Sequence, residues 1–162
     1  MLRTILIYGA IAGLAVGLPL SALVLNDVPF TQNVWFGYLT MLVALTAVFV
    51  AVKRHRDDAL GGVIRFWPAF GLGLAVSAVA GIFYTIAWES AVAISGVDFI
   101  GDYARAVIAG AKAKGASAAE LAKLSAAMEG MKADYANPLF RLPMVFSEIF
   151  PVGILVSLVS AG

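Results

Sequence analysis

The feature that most constrains this chain is where its charges are missing. After Arg3 no Asp, Glu, Lys or Arg occurs until Asp27, none between Asp27 and Lys53, and none between Arg65 and Glu89. From Arg141 to Gly162 only Glu148 interrupts the apolar run. A helix crosses the hydrocarbon layer with about 20 mostly apolar residues at roughly 1.5 Å rise each. The gaps therefore predict four spans, at about 4–25, 34–52, 66–89 and 138–161. Lipid offers the backbone no hydrogen-bond partners, so these spans must be helices. The alternation expected of a membrane barrel is absent. The first apolar run is longer than a signal-peptide core and no clean small-x-small site follows, so it is read as a retained helix.

Composition agrees with the gaps. Of 162 residues 62% are apolar and 13% charged, against about 25% charged in an ordinary soluble domain. That is too little charge to cover a water-facing surface, which excludes a soluble enzyme and a disordered chain. A net charge of +1 gives no electrostatic case for a nucleic-acid partner. The absence of cysteine removes disulfides, thiolate metal sites and cysteine nucleophiles together.

Basic residues in short loops set orientation. The 53–65 loop, KRHRDDALGGVIR, carries net +2, whereas the 27–33 loop, DVPFTQN, has one acid and no base. This predicts a cytoplasmic 53–65 loop and cytoplasmic termini. Aromatic residues at the span ends, Trp35, Phe36, Tyr38, Phe66, Trp67 and Trp88, read as a headgroup belt. His55, the only histidine, sits in that basic loop without the partners that a metal site or catalytic base needs. The loop is read as a solvated anchor touching anionic lipid.

Residues 98–136 read as an amphipathic helical hairpin outside the membrane. Phe99, Tyr103, Val107 and Ala111 recur every four residues, and Gly115 ends the first arm. Ser117 and Glu120 form a capping box for the second arm. Leu121, Leu124, Met128, Met131 and Tyr135 then share one helix face. That face would cap its own bundle, lie on the membrane interface or meet a partner subunit. Asn137-Pro138 reads as an N-cap followed by proline at the first helical position.

Small residues four apart mark close helix contacts. Gly9, Gly13 and Gly17 form such a ridge on the first span. Ala69, Gly73, Ser77 and Gly81 form one on the third, and Gly153, Ser157 and Ala161 one on the fourth. They serve packing within one subunit or assembly of a homo-oligomer.

Glu148 is the outlier. It lies ten residues after Pro138, or roughly 15 Å along the helix. An ionised carboxylate at membrane depth costs about 2.5–3.5 kcal/mol or more unless paired or protonated, and such residues are functional candidates by default. Pro143 and Pro151 flank it and free backbone carbonyls. Tyr84, Tyr8 or Arg141 could partner it, and Glu89 could pair with Arg141. One reading places a cation, proton or polar headgroup at Glu148, in a cavity between spans one, three and four. The other makes it an inter-helix packing hydrogen bond.

The chain resembles the bacterial membrane proteins grouped as domain-of-unknown-function family 4199. The matching pieces begin with Gly37-Tyr38 and Met41, then Arg56-Asp57, Gly61-Gly62, Phe66 and Ala69. Tyr84, Trp88, Gly115-Ala-Ser117 with Glu120, and Tyr135 follow. The most specific are Asn137-Pro138-Leu139-Phe140 and Glu148-Ile149-x-Pro151-Val152-Gly153. The resemblance implies a small helical protein of the bacterial cytoplasmic (inner) membrane with an extramembrane insert. It implies no reaction.

The expectation is thus an all-α single transmembrane domain over 1–162. Its partners are the lipid bilayer, further copies of itself and a small-molecule ligand of unknown identity. Two functions stay open: transport or binding of a small ligand, ion or lipid at Glu148, Arg141, Glu89 and Tyr84, or a non-catalytic scaffold acting through ridges and hairpin. No phosphate loop, nucleophile elbow or metal motif occurs, so no enzyme, cofactor or catalytic residue is expected.

Overall fold

In the computed structural model, described here over residues 1–26 and 34–162, every element is helical. The elements are α1 (Leu2–Leu25), α2 (Val34–Arg54), α3 (Phe66–Ser95), α4 (Phe99–Ala113), α5 (Ala118–Ala136) and α6 (Pro138–Ala161). The 27–33 loop used for orientation lies outside the described residues. Four helices are long and apolar enough to cross a membrane.

The helix ends follow the local chemistry. Asn137 Oδ1 accepts from the Leu139 N–H at 3.0 Å, and Pro138 occupies the first turn of α6, where its missing N–H costs nothing. The Ser117–Glu120 capping box forms with both reciprocal bonds present. It also holds the exposed Glu120 carboxyl below its ordinary range, because the Ser117 hydroxyl and N–H both donate to it. Gly115 takes φ +82°, a turn conformation that side chains resist.

Two helices exceed their predicted spans. α3 runs to Ser95 rather than 89 and has 30 residues, roughly 45 Å against a hydrocarbon layer of about 30 Å. α2 continues through Arg54 into a π-helical turn at His55–Ala59. Charge pattern cannot show either extension, because polar residues do not end a helix that tertiary contacts hold.

The packing order follows the glycines. α1 lies against α3, α3 against α6, and α2 touches both α1 and α6. α1 and α3 run parallel: Gly9 meets Val79, Gly13 meets Ala80 and Phe83, and Gly17 meets Ala87. A Cβ at Gly9 would fall 2.5 Å from that of Val79, so only glycine permits this approach. The ridges of α3 and α6 face each other within the chain as well. Their small residues are thus spent on internal contacts, and the assembly reading draws no support from them.

α4 and α5 pack chiefly on each other, and their base is seated on α3 and α6. The packed stripe of α4 is Ile100, Ala104, Val107 and Ala111, while Tyr103 is exposed. The four-residue spacing from Phe99 through Tyr103 therefore misplaced one member of the stripe. On α5, Leu121, Leu124, Met128 and Met131 are half-buried and Tyr135 is buried. Lys132 Nζ donates to Asp98 Oδ2 at 2.7 Å, tying the two arms. That bond, with the Gly101 N–H, lowers the Asp98 carboxyl below its usual range.

Candidate functional site

The site lies on the α3–α6 seam. The two helices are antiparallel, so their contacts run forward along α3 and, overall, backward along α6. Gly73 faces Ser157, Ser77 faces Gly153, Gly81 faces Phe146, Tyr84 meets Glu148 and Glu89 meets Arg141. The character of the contacts changes along this line.

The half nearer the 54–65 loop is close and dry. A Cβ at Gly73 would lie 2.8 Å from that of Ser157, and one at Gly153 would lie 2.6 Å from that of Ser77. Ser77 and Ser157 are 1% and 0% exposed. Both hydroxyls donate to the Gly153 carbonyl, at 3.3 and 2.6 Å, and lie 3.3 Å from each other. Every polar atom there is satisfied, so this half is structural.

The half nearer the α4–α5 pair is polar and open. Arg141 binds Glu89 through two parallel bonds, Nε to Oε1 at 2.8 Å and Nη2 to Oε2 at 2.6 Å. The pair is about one-fifth exposed on each side chain, 21% and 22%. Arg141 also donates to the Tyr135 carbonyl and lies over its ring at 5.5 Å. Trp88 Nε1 donates to the Tyr135 hydroxyl at 2.9 Å, and the Trp88 ring meets Phe99 edge-on at 4.8 Å. Trp88 is buried, so it belongs to this cluster and not to a headgroup belt. Trp35 and Trp67, by contrast, are mostly exposed, as a belt requires.

Glu148 sits seven residues beyond Arg141 on α6, roughly 10 Å further along the axis. Tyr84, itself 2% exposed, donates its hydroxyl to Glu148 Oε2 at 2.9 Å. The backbone of Tyr84 rests against Gly17 of α1. Of the proposed partners Tyr84, Tyr8 and Arg141, the structure thus selects Tyr84. Arg141 is taken by Glu89, and Tyr8 accepts from Arg54 Nη1 at 3.2 Å at the other end of the molecule.

The expected cavity between spans one, three and four is not what surrounds Glu148. The residue is exposed on the side of α6. Its Oε1 has no hydrogen-bond partner among the described residues, and no cation pairs with it there. Pro151, inside α6, lacks the N–H that would bond the Ser147 carbonyl. Two cavities are lined by other residues: one of about 220 Å³ beside Lys53 and Arg56, and a shallow groove of about 480 Å³ beside Met131 and Phe140. Among the described residues no three His, Asp or Glu side chains lie close enough to hold a metal ion.

The site thus joins all four predicted residues, Glu148, Tyr84, Glu89 and Arg141, along one seam. Sequence reasoning missed the Trp88–Tyr135 bond that links them to α5. The resemblance had singled out both residues, but their spacing carries no sign of contact. A family model described as "Protein of unknown function (DUF4199)" matches residues 6–162. No curated protein and no solved structure matches the chain.

Proposed function

The chain belongs to the DUF4199 family, and from that premise we propose that it binds a small ligand in the membrane at Glu148. The ligand is a proton, a small cation or the hydrogen-bond-donating head of an amphiphile. One observation carries this reading: a carboxylate exposed on the side of a membrane-length helix has one oxygen held by Tyr84 and the other open. An unfilled acceptor at that depth is costly in lipid, and a proton or bound donor removes the cost.

The setting is read as a single transmembrane domain over 1–162, a four-helix bundle with the α4–α5 hairpin outside a bacterial inner membrane. Arg3, Lys53, Arg54, Arg56 and Arg65 gather at one end against only Asp57 and Asp58. That excess supports a cytoplasmic loop and termini. No catalytic role is proposed.

The test is modification by a hydrophobic carbodiimide, which reaches protonated carboxyls through lipid. In proteoliposomes the mass shift should map to Glu148 and vanish in Glu148→Gln. Sodium, potassium or a tetraalkylammonium ion should slow it if the ligand is a cation, and alkaline pH should slow it if the ligand is a proton. Failure to label Glu148 refutes the reading. The alternative is a non-catalytic scaffold, favoured by the apolar groove beside Met131, Phe140 and Met144. Labelling that no ion and no pH change affects would favour it.

A further inference from the structure

The end of the molecule opposite the α4–α5 pair holds a second, independent site. There α2 runs through its π-helical turn into a loop without regular structure, and the end of α6 closes over the gap. A cavity of about 220 Å³ results, walled by Phe49, Val52, Val63 and Ile64, with Lys53 and Arg56 at its rim. Its volume is below the roughly 300–1,000 Å³ of sites for drug-sized molecules, so it suits a compact group.

The unspent hydrogen-bonding capacity identifies that group. Arg56 gives only Nε to Asp57 Oδ1, at 2.7 Å, which leaves Nη1 and Nη2 without partners among the described residues. Lys53 has no hydrogen bond or ion pair there. Arg54 is turned away to the Tyr8 hydroxyl. Ser160 spends its hydrogen on the Val156 carbonyl and can only accept. Among the side chains that line the cavity the free donors are therefore the two cations, and the nearby acids, Asp57 and Asp58, do not balance the five bases at this end. A guanidinium fork beside an ammonium suits a phosphate. One turn deeper than Lys53, Phe49 presents an apolar wall, about half exposed, where a glycerol and acyl chain would lie.

We propose that this cavity binds a phosphate group, carried by an anionic phospholipid or free. Arg56 grips it through Nη1 and Nη2, and Lys53 adds a point charge. Arg56 sits in the π-helical turn at His55–Ala59, a departure from α-helical geometry often associated with function. This proposal does not rest on Glu148.

The test uses the full chain purified in detergent, with lipid retention read by native mass spectrometry. The probes are phosphatidylglycerol, phosphatidylcholine and inorganic phosphate. One phosphatidylglycerol per chain should be retained in preference to phosphatidylcholine. Lys53→Gln/Arg56→Gln should weaken retention at least tenfold, while Arg3→Gln/Arg65→Gln, which removes the same charge from the same end, should change it less than twofold. Lys53→Arg should retain binding, which separates recognition from misfolding. Phosphatidylglycerol that millimolar inorganic phosphate cannot displace identifies the lipid as the ligand. Displacement shows that the phosphate alone suffices. Equal loss in both double variants, equal retention of phosphatidylcholine or no retention would overturn the proposal.

Discussion

The two halves of the α3–α6 seam share one register and differ in what they leave unsatisfied. At Gly73, Ser77, Gly153 and Ser157 the backbones approach closely and every hydroxyl is used. At Tyr84, Glu148, Glu89 and Arg141 the side chains are large, and one carboxylate oxygen is left open. Both halves are polar by composition. The contrast teaches that polarity in a membrane helix is not itself a sign of function. The informative observation is a polar group whose partners have been counted and found short.

The contrast can be broken most forcefully in the dry half. Gly153→Leu places a branched side chain where even a Cβ would fall 2.6 Å from that of Ser77. Overpacking against the buried Ser77 side chain should cost about 3 kcal/mol or more. A denaturant titration followed by helical circular dichroism should show a large drop in midpoint, with loss of the α3–α6 contact. An unchanged midpoint would mean that the seam is not close-packed.

In the open half the largest effect belongs to the ion pair. Glu89→Gln leaves Arg141 with one charge-assisted bond fewer and no counter-charge. At about one-fifth exposure the expected cost is about 2 kcal/mol. The same titration measures it, and a loss equal to that of Gly153→Leu would erase the distinction between the halves. By comparison Glu148→Gln should be nearly neutral or stabilising, since it removes an open charge and keeps an acceptor for Tyr84.

The smallest effect is where the start of α4 meets α5, outside the seam. Lys132 and the Gly101 N–H hold the Asp98 carboxyl below its ordinary range. The folded value is depressed, so this stabilisation is present above the unfolded carboxyl value, near pH 4. It is lost as pH falls through the lower folded value. Asp98→Asn should therefore lower the thermal midpoint slightly at pH 7, and the difference from wild type should shrink in acid. Both partners are exposed, so salt should weaken it too. A difference that persists at pH 2 would assign the effect to capping alone.

Much of the fold was legible because membrane helices announce themselves through charge gaps, and helix ends through short-range chemistry. Ser117–Glu120 and Asn137-Pro138 are local motifs, so their geometry follows from neighbours in sequence. The facing of the long helices was less legible. α1, α3 and α6 are apolar on nearly all sides, so periodicity cannot tell a lipid face from a packed one. The glycine ridges mark close contacts without naming the partner, and the parallel α1–α3 pairing emerges only in three dimensions. Glu148 was conspicuous as a charge in an apolar run. That it stands open on a helix side and not in a cavity depends on how α3 and α6 rotate against each other. Trp88 illustrates the same limit: its place at a predicted span end suggested lipid, whereas Tyr135, 47 residues later, buries it.

The central claim, that the open half of the seam faces lipid at Glu148, has a direct measurement. The chain has no cysteine, so single-cysteine variants at 148 and 157 can each carry one nitroxide label without background. In proteoliposomes the power saturation of each label reports its collisions with lipid-soluble oxygen and with a water-soluble nickel chelate. High oxygen access and low nickel access are expected at 148, and low access to both at 157. Low access to both reagents at 148, or high access to nickel there, would contradict the claim.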